Sequence, residues 1–139
     1  MAYTAENWPI TAALLQFPGT DAQGTHINDA PASAWAEVLQ EVKDAGFANA
    51  DLTDSWVRPG DLSAARLAEF KQTADTVGIG IPVISAIRRS VIEAGNWEAN
   101  LAYSHRTIDA AAELGCEVVS FGLHQAITAE QQKQLWFWT

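Results

Sequence analysis

The sequence predicts an α/β fold made of about four βα units. Gly46, Gly78 and Gly115 each follow a helical pattern and come directly before an apolar run. A helix that ends at glycine and is followed at once by a strand-length apolar segment is one helix-to-strand joint. Because this joint recurs at intervals typical of βα units, we expect parallel strands with helices packed outside them.

Four apolar runs are the predicted strands. Their apolarity is continuous rather than alternating, which is typical of strands covered on both faces. Pro82 lies in the third run, and proline has no N–H to donate to a ladder. Either that strand begins after Pro82, or its first residues lie at an edge. The predicted strands are Ile10–Phe17, Phe47–Thr53, Ile79–Ile87 and Cys116–Phe121.

Three helices and the start of a fourth are predicted from periodicity and capping signals. Asp61 is the expected N-cap of the second helix, and Thr128 with Gln131 forms a capping-box pattern that begins the fourth. The three complete helices are predicted at Ala32–Ala45, Leu62–Val77 and Glu98–Leu114. The stripes expected to face inward consist of Trp35, Val38, Leu39 and Val42; Leu67, Phe70, Ala74 and Val77; and Leu101, His105, Ile108 and Ala112.

Four parallel strands in sequence suit either a small open sheet or half of an eight-stranded barrel. The loop after the first strand, Pro18–Gly24, lacks the G-x-G-x-x-G spacing and the closely following helix of an open nucleotide-binding sheet. We therefore predict one domain, residues 1–139, as the N-terminal half of a TIM (β/α)8-type barrel with its last helix truncated. Trp136, Phe137 and Trp138 are expected to be buried in a core or an interface.

Composition excludes several classes of protein. The hydrophobic fraction of 48% can form a core, and the formal charge of −9 leaves no basic patch for nucleic acid. No apolar run approaches the length of a membrane span, and the N-terminus lacks the basic region of a signal peptide. The single cysteine, Cys116, is expected to be a small buried hydrophobe and allows no internal disulfide. A cytoplasmic protein is the prediction.

Several segments resemble the sugar phosphate isomerase/epimerase family of the xylose-isomerase-like TIM-barrel superfamily, which also includes endonuclease IV. One motif is a helix that ends in Ala-Ala-Glu-Leu-Gly, residues 111–115, followed by the strand sequence Cys-Glu-Val-Val. The other is Lys-Asp-Ala-Gly-Phe, residues 43–47, which leads to Asp51 in the second strand. The order and spacing of these motifs carry the resemblance, which covers nearly the whole chain.

The resemblance implies a metal-dependent isomerase or epimerase that moves a proton next to the carbonyl of a small keto-sugar or sugar phosphate. The implied cofactor is one divalent ion (Mn²⁺, Mg²⁺, Co²⁺ or Zn²⁺). The family's metal ligands lie on strands five to eight, so no principal ligand is expected up to Thr139. This chain alone is expected to be inactive and to need the remainder of the barrel or a partner subunit, in an oligomer.

Two alternatives stay open at this point. One branch of the same fold cleaves C-glycosides after the sugar has been oxidised to its 3-keto form, and it works with a companion subunit. A non-catalytic half-barrel that closes its sheet against a partner is the other alternative. The sequence names no catalytic residue for any of these functions.

Seven residues near strand ends are predicted to bind the carbohydrate, because reacting groups in α/β barrels lie at the C-terminal ends of the strands. Paired carboxylates can bind hydroxyls, arginine can hold a phosphate, imidazole can bind a hydroxyl or a metal, and indole faces stack on sugars. The predicted residues are His26, Asp51, Asp54, Trp56, Arg88, Trp97 and His124; Gln16, Ser85 and Ser120 occupy similar positions.

Each of these residues also has a structural interpretation. Asp54 suits a turn acceptor, and either arginine of the pair Arg88 and Arg89 suits an ion pair with the acidic surface. The two tryptophans suit a hydrophobic plug over the barrel rim, and the histidines suit plain loop positions. His105 is expected to be a packed helix residue rather than a ligand.

Overall fold

The structure is a computed structural model that describes residues 10–124 and 128–134, without the side chains of Gln132 and Gln134. Strands and helices alternate along this part of the chain, and none of these helices is long and apolar enough to cross a membrane. The elements are β1 (Ala12–Ala13), α1 (Ala32–Asp44), β2 (Asn49–Thr53), α2 (Ala64–Val77), β3 (Gly80–Ala86), α3 (Trp97–Leu114), β4 (Val118–Phe121) and α4 (Ala129–Gln134). Trp136, Phe137 and Trp138 lie outside the described residues, so their burial stays a prediction.

The four strands form one sheet in the order β1-β2-β3-β4, and each neighbouring pair is parallel. This order confirms the predicted α/β class, because α1, α2 and α3 each connect two adjacent parallel strands. The register aligns Thr53 on β2 with Ser85 on β3, and Ser85 with Ser120 on β4. Residues at the C-terminal ends of three strands therefore lie side by side.

One face of the sheet is covered by helices. Ala50, Leu52 and Ile84 are fully buried in the core cluster that includes residues of α1, α2 and α3. Since successive strand residues point to opposite faces, their neighbours Asp51 and Ser85 point to the other side. That side is open: Val118 of β4 keeps 52% of its surface exposed. The strands were expected to be covered on both faces. Within the described residues, helices cover one face and the other is open.

The predicted inner stripes of the first two helices are largely confirmed. Trp35 packs edge-on against Phe70 with ring centroids 5.3 Å apart, and both side chains are fully buried. The guanidinium of Arg66 lies 4.0 Å above the Trp35 ring, which completes this contact between α1 and α2. The other buried members are Leu39, Val42, Leu67 and Ala74, whereas Val38 and Val77 are partly buried.

The predicted N-cap of α2 is wrong by two residues. Asp61 lies in a separate 3₁₀ helix, Pro59–Asp61, and Ser63 caps α2 by accepting a hydrogen bond from the N–H of Arg66. Pro59 fixes the backbone of this extra turn, and Asp61 is used in ion pairs instead.

The predicted inner stripe of α3 is also wrong. Leu101 and Ile108 are 39% and 49% exposed, and His105 is exposed with them. The hydrophobic pattern fails here because polar residues occupy the buried face. The hydroxyls of Ser104 and Thr107 can be buried, since each donates to a carbonyl one turn earlier in the helix. The buried face consists of Asn100, Tyr103, Ser104, Thr107, Ala110, Ala111 and Leu114.

Two predicted strands differ in detail from the observed ones. The first is only two residues long and continues as a 3₁₀ helix, Leu14–Gln16. Pro82 lies inside β3 rather than before it or at an edge, where the pairing with β2 is irregular. Because the register shifts at this point, the β2–β3 ladder does not need an N–H from Pro82. The Pro82 carbonyl accepts a hydrogen bond from the N–H of Glu117 at 2.8 Å.

Cys116 lies just before β4 rather than within it and is half-buried against the core. Burial raises the pKa of its thiol to about 11. The expected small hydrophobe is therefore found, with less complete burial.

Gly60 allows the loop after β2 to lie directly on α3. A Cβ at this position would come within 2.6 Å of the Thr107 hydroxyl oxygen and 3.0 Å of its backbone nitrogen. We predict that Gly60→Ala lowers the free energy of unfolding by about 1–3 kcal/mol through overpacking. Denaturant unfolding should show this, with Ala65→Ser at an exposed helix position as the control. Equal midpoints for the two variants would contradict the close contact.

Candidate functional site

The C-terminal edge of the sheet carries a row of hydroxyl groups on its open face. Thr53, Ser85 and Ser120 are register partners on β2, β3 and β4. They alternate with the core residues Leu52 and Ile84, which places them on the side away from the helices. Sequence reasoning considered the two serines but missed Thr53, although strict alternation along β2 could have found it.

Asp51 lies on the same face, two residues before Thr53. Its Oδ2 accepts a hydrogen bond from the Ser85 hydroxyl at 2.9 Å. Its Oδ1 is buried and has no hydrogen-bond partner among the described residues. A buried carboxylate oxygen normally has a partner, so this atom is an exception among the described residues. The row of hydroxyls and this carboxylate form what we call the polar edge: Asp51, Thr53, Ser85 and Ser120.

Asp54 ties the loop after β2 to the loop after β3. Its side chain is 2% exposed, and its two carboxylate oxygens accept from the N–H groups of Ile87 and Arg88, each at 3.1 Å. Burial raises the pKa of this carboxyl, and the two hydrogen bonds oppose the rise only partly. Asp54 is therefore an acceptor, but for a distant loop rather than for its own turn, where the N–H of Trp56 donates to the Thr53 carbonyl instead. Substrate binding by Asp54 stays a prediction.

An arginine–aspartate–tyrosine cluster, missed from the sequence, fixes the same loops to α3. Asp61 accepts from Arg89 at 2.7 Å and from Arg106 at 3.0 Å. Arg89 also stacks 4.0 Å above the ring of Tyr103, a fully buried residue whose pKa is raised by burial to about 12. No local motif links residues so far apart in sequence, so only the structure brings them together. Arg89 thus takes the ion-pair role foreseen for one of the two arginines.

His26 lies at the end of the long loop after β1, where it forms a β-bridge with Thr20. Its Nδ1 accepts from the N–H of Asn28 at 3.1 Å. The Asn28 side chain in turn bonds both the N–H and the carbonyl of Arg58, each at 2.9 Å. The loops after β1 and β2 are therefore joined beside His26. Burial, and then the nearby Arg58, lowers the pKa of the imidazole.

The two predicted tryptophans have different environments. Trp56 is 1% exposed and packs against Phe17 and Phe70, with centroid distances of 6.3 and 6.2 Å. This packing fits the hydrophobic-plug interpretation. Trp97, the first residue of α3, is 50% exposed and leaves an indole surface available at the rim.

Arg88 and His124 are both exposed. Neither side chain forms a hydrogen bond or ion pair within the described part of the chain. The N–H of His124 donates to the hydroxyl of Ser90 at 2.8 Å, and Asn100 of α3 donates to the Ser90 carbonyl. The loops after β3 and β4 are thereby joined, as the loops after β1 and β2 are.

A metal site is not assembled by the described residues. Within residues 10–124 and 128–134, no group of three His, Cys, Asp or Glu side chains lies close enough to hold a metal ion. Asp51 offers one free oxygen, and a single carboxylate does not make a site for a divalent ion. No step through a metal is therefore derived from these residues.

Asp54 gives a pH-dependent prediction. Because its pKa is raised in the folded protein, the folded state binds more protons than the unfolded chain above pH 3.8. Its contribution to stability is therefore complete at lower pH and is lost as pH rises through the folded-state pKa. Asp54→Asn removes this contribution, so the stability of the wild type should fall relative to the variant over that window.

The measurement is urea unfolding of both proteins between pH 3 and pH 7. Asp54→Ala serves as the second variant and should lose about 1–3 kcal/mol at every pH, because two buried N–H groups then lack an acceptor. Parallel stability profiles for wild type and Asp54→Asn would contradict the raised pKa.

Comparison with known proteins identifies a solved structure with a similar architecture. No protein-family model matches the chain, and no curated protein matches it. Among solved structures, a xylose isomerase-like TIM barrel protein from Mycobacterium smegmatis, crystallised in complex with magnesium, is similar over 99% of this chain. The two share 44% sequence identity and superpose with a TM-score of 0.82, and the chain spans 45% of that protein's length. The four βα units match half of a TIM barrel, and the chain belongs to the xylose isomerase-like superfamily.

Proposed function

We propose that the complete barrel is an isomerase or epimerase that moves a proton next to the carbonyl of a small keto-sugar or sugar phosphate. The proposal rests on 44% identity, across 99% of the chain, to a xylose isomerase-like barrel protein. The polar edge supports it, because the Asp51 carboxylate and the hydroxyls of Ser85 and Ser120 are groups of the kind that pair with a polyhydroxylated ligand. Thr53 is 2% exposed and its hydroxyl is hydrogen-bonded to Ser55, so it supports the edge from within.

The open face implies that this chain works with a second set of strands. Val118 is half exposed on that face, and Ser120 of the same strand is exposed there as well. We infer that the remainder of the barrel, in the same polypeptide or in a partner subunit, covers this face and completes the site. An oligomer is compatible with either arrangement.

A divalent ion is part of the proposal. Magnesium in the similar Mycobacterium smegmatis structure supports it, and the ligands would come from strands beyond β4. Such an ion polarises a carbonyl and favours removal of the neighbouring proton. The residues of this chain would bind and orient the sugar. Asp51 and Ser85 would form hydrogen bonds with the hydroxyl groups of the sugar, and Trp97 would stack on it through its exposed indole face.

Arg88 and His124 are proposed to bind the distal end of the ligand. Both are exposed on loops that follow β3 and β4. A guanidinium is suited to a phosphate group, so Arg88 would favour sugar phosphates over free sugars.

No described feature favours the C-glycoside-cleaving branch or a non-catalytic half-barrel, and both are kept as outcomes of the test. The cytoplasmic location likewise stays a prediction.

The reaction predicts exchange with solvent. The complete protein with Mg²⁺ is incubated in D₂O with D-fructose, D-tagatose and D-fructose 6-phosphate, and each recovered sugar is analysed by NMR. Proton transfer through the enzyme should place deuterium on the carbon next to the carbonyl, together with an epimer or an aldose. EDTA should stop the exchange and added Mg²⁺ should restore it. Absence of deuterium in every sugar would reject the proposal, and cleavage of a 3-keto glycoside alone would favour the lyase branch.

Asp51→Asn tests the polar edge in the same assay. Loss of a charged hydrogen-bond acceptor should lower kcat/KM by about 10- to 100-fold. Asp109→Asn, on the exposed side of α3, is the matched control and should change kcat/KM less than twofold. Equal effects of the two variants would exclude Asp51 from the site.

A further inference from the structure

The protonation site of His26 is determined by its backbone neighbour. The N–H of Asn28 points at Nδ1 of His26 over 3.1 Å. A backbone N–H can only donate, so Nδ1 must be the unprotonated nitrogen that accepts. A neutral imidazole with an unprotonated Nδ1 carries its proton on Nε2. The ring therefore presents an N–H donor at Nε2.

The donor of this hydrogen bond is itself held in place. Asn28 is 8% exposed, and its side-chain amide bonds the N–H and the carbonyl of Arg58. Its own carbonyl accepts from the guanidinium of Arg66 at 2.9 Å. Two hydrogen bonds hold the Asn28 side chain and one holds its backbone carbonyl, so the residue that donates to His26 is anchored to two other segments.

Charges from the neighbouring elements also act on the ring. Burial is the largest influence and lowers the pKa of His26, and the cations Arg58 and Arg89 lower it further. Asp29 and Asp61 oppose them, but the pKa stays below its ordinary value of 6.5. The lowered pKa favours the uncharged form of the imidazole.

The Nε2–H is the unused group. It has no hydrogen-bond acceptor among the described residues, although the ring is half-buried at the loops that follow β1 and β2. We infer that His26 is a fixed, neutral donor whose Nε2–H hydrogen-bonds an oxygen of the bound keto-sugar. This inference rests on the proposed function. It also excludes His26 as a metal ligand or a base while the ring keeps this state, because its only free lone pair is already bound to Asn28.

Two amide substitutions separate the two ring nitrogens. The amide nitrogen of glutamine can occupy the place of Nε2, whereas the amide oxygen of asparagine can occupy the place of Nδ1. His26→Gln therefore keeps a donor toward the ligand, and His26→Asn keeps the acceptor for Asn28 without that donor. We expect kcat/KM of the complete protein on its best ketose to be about tenfold lower for His26→Asn than for His26→Gln.

His105→Asn, on the exposed face of α3, is the control and should match the wild type. If His26→Asn is at least as active as His26→Gln, the imidazole only supports the loop and the inference is overturned. Denaturant unfolding of both variants shows whether either substitution also destabilises the fold.

Nitrogen NMR of the imidazoles tests the ring state without any substrate. The chain has three histidines, so assignment by the His26→Gln variant is direct. The expected spectrum at pH 7 shows an unprotonated Nδ1 and a protonated Nε2 for His26, with titration below pH 6.5. A protonated Nδ1 or a charged ring would overturn the inference even if the enzyme is active. The expected spectrum in a protein that exchanges no ketose would instead count against the proposed function alone.

Discussion

The structure depends on one-sided burial of a parallel sheet. Ala50, Leu52 and Ile84 lie under the helices, and this burial of apolar surface is the main favourable term that holds the four βα units together. The period of two along each strand then forces the residues between them onto the opposite face. Asp51 and Ser85 are on the open face for the same reason that Leu52 is in the core, so folding and the polar edge have one origin.

The loops beyond the strands are joined by polar side chains that bond to backbone groups. Asn28 connects the first two loops through Arg58, Asp54 connects the second and third, and Ser90 connects the third and fourth. Backbone groups in loops need partners when they are buried, and these side chains supply them. The loops at the rim are therefore tied to one another, and under the proposed function this would reduce the entropy cost of positioning groups such as His26.

Local patterns in the sequence were sufficient for the class and order of the elements, because helix ends at Gly78 and Gly115 and the apolar stripe of α1 are short-range signals.

The same patterns failed where contacts between distant residues determine the structure. The buried face of α3 is rich in hydroxyl groups that bond within the helix, so hydrophobicity pointed to Ile108 instead. Asp61 has the residue type of a helix cap, but its partners are Arg89 and Arg106, which lie far along the chain. Of the candidate site, strand-end positions such as Asp51 were predictable, whereas the ring state of His26 depends on a contact that no motif records.

If the chain is half of a barrel, the open face of this sheet is the inner face of that barrel. The most direct measurement is the reaction rate of a thiol reagent with Val118→Cys, in a Cys116→Ser background, for the 139-residue chain and for the complete barrel. Ala65→Cys on the outer surface of α2 is the reference. We predict that Val118→Cys reacts at least roughly tenfold more slowly in the complete barrel, while the reference rate is unchanged. Equal rates at position 118 in the two proteins would contradict it.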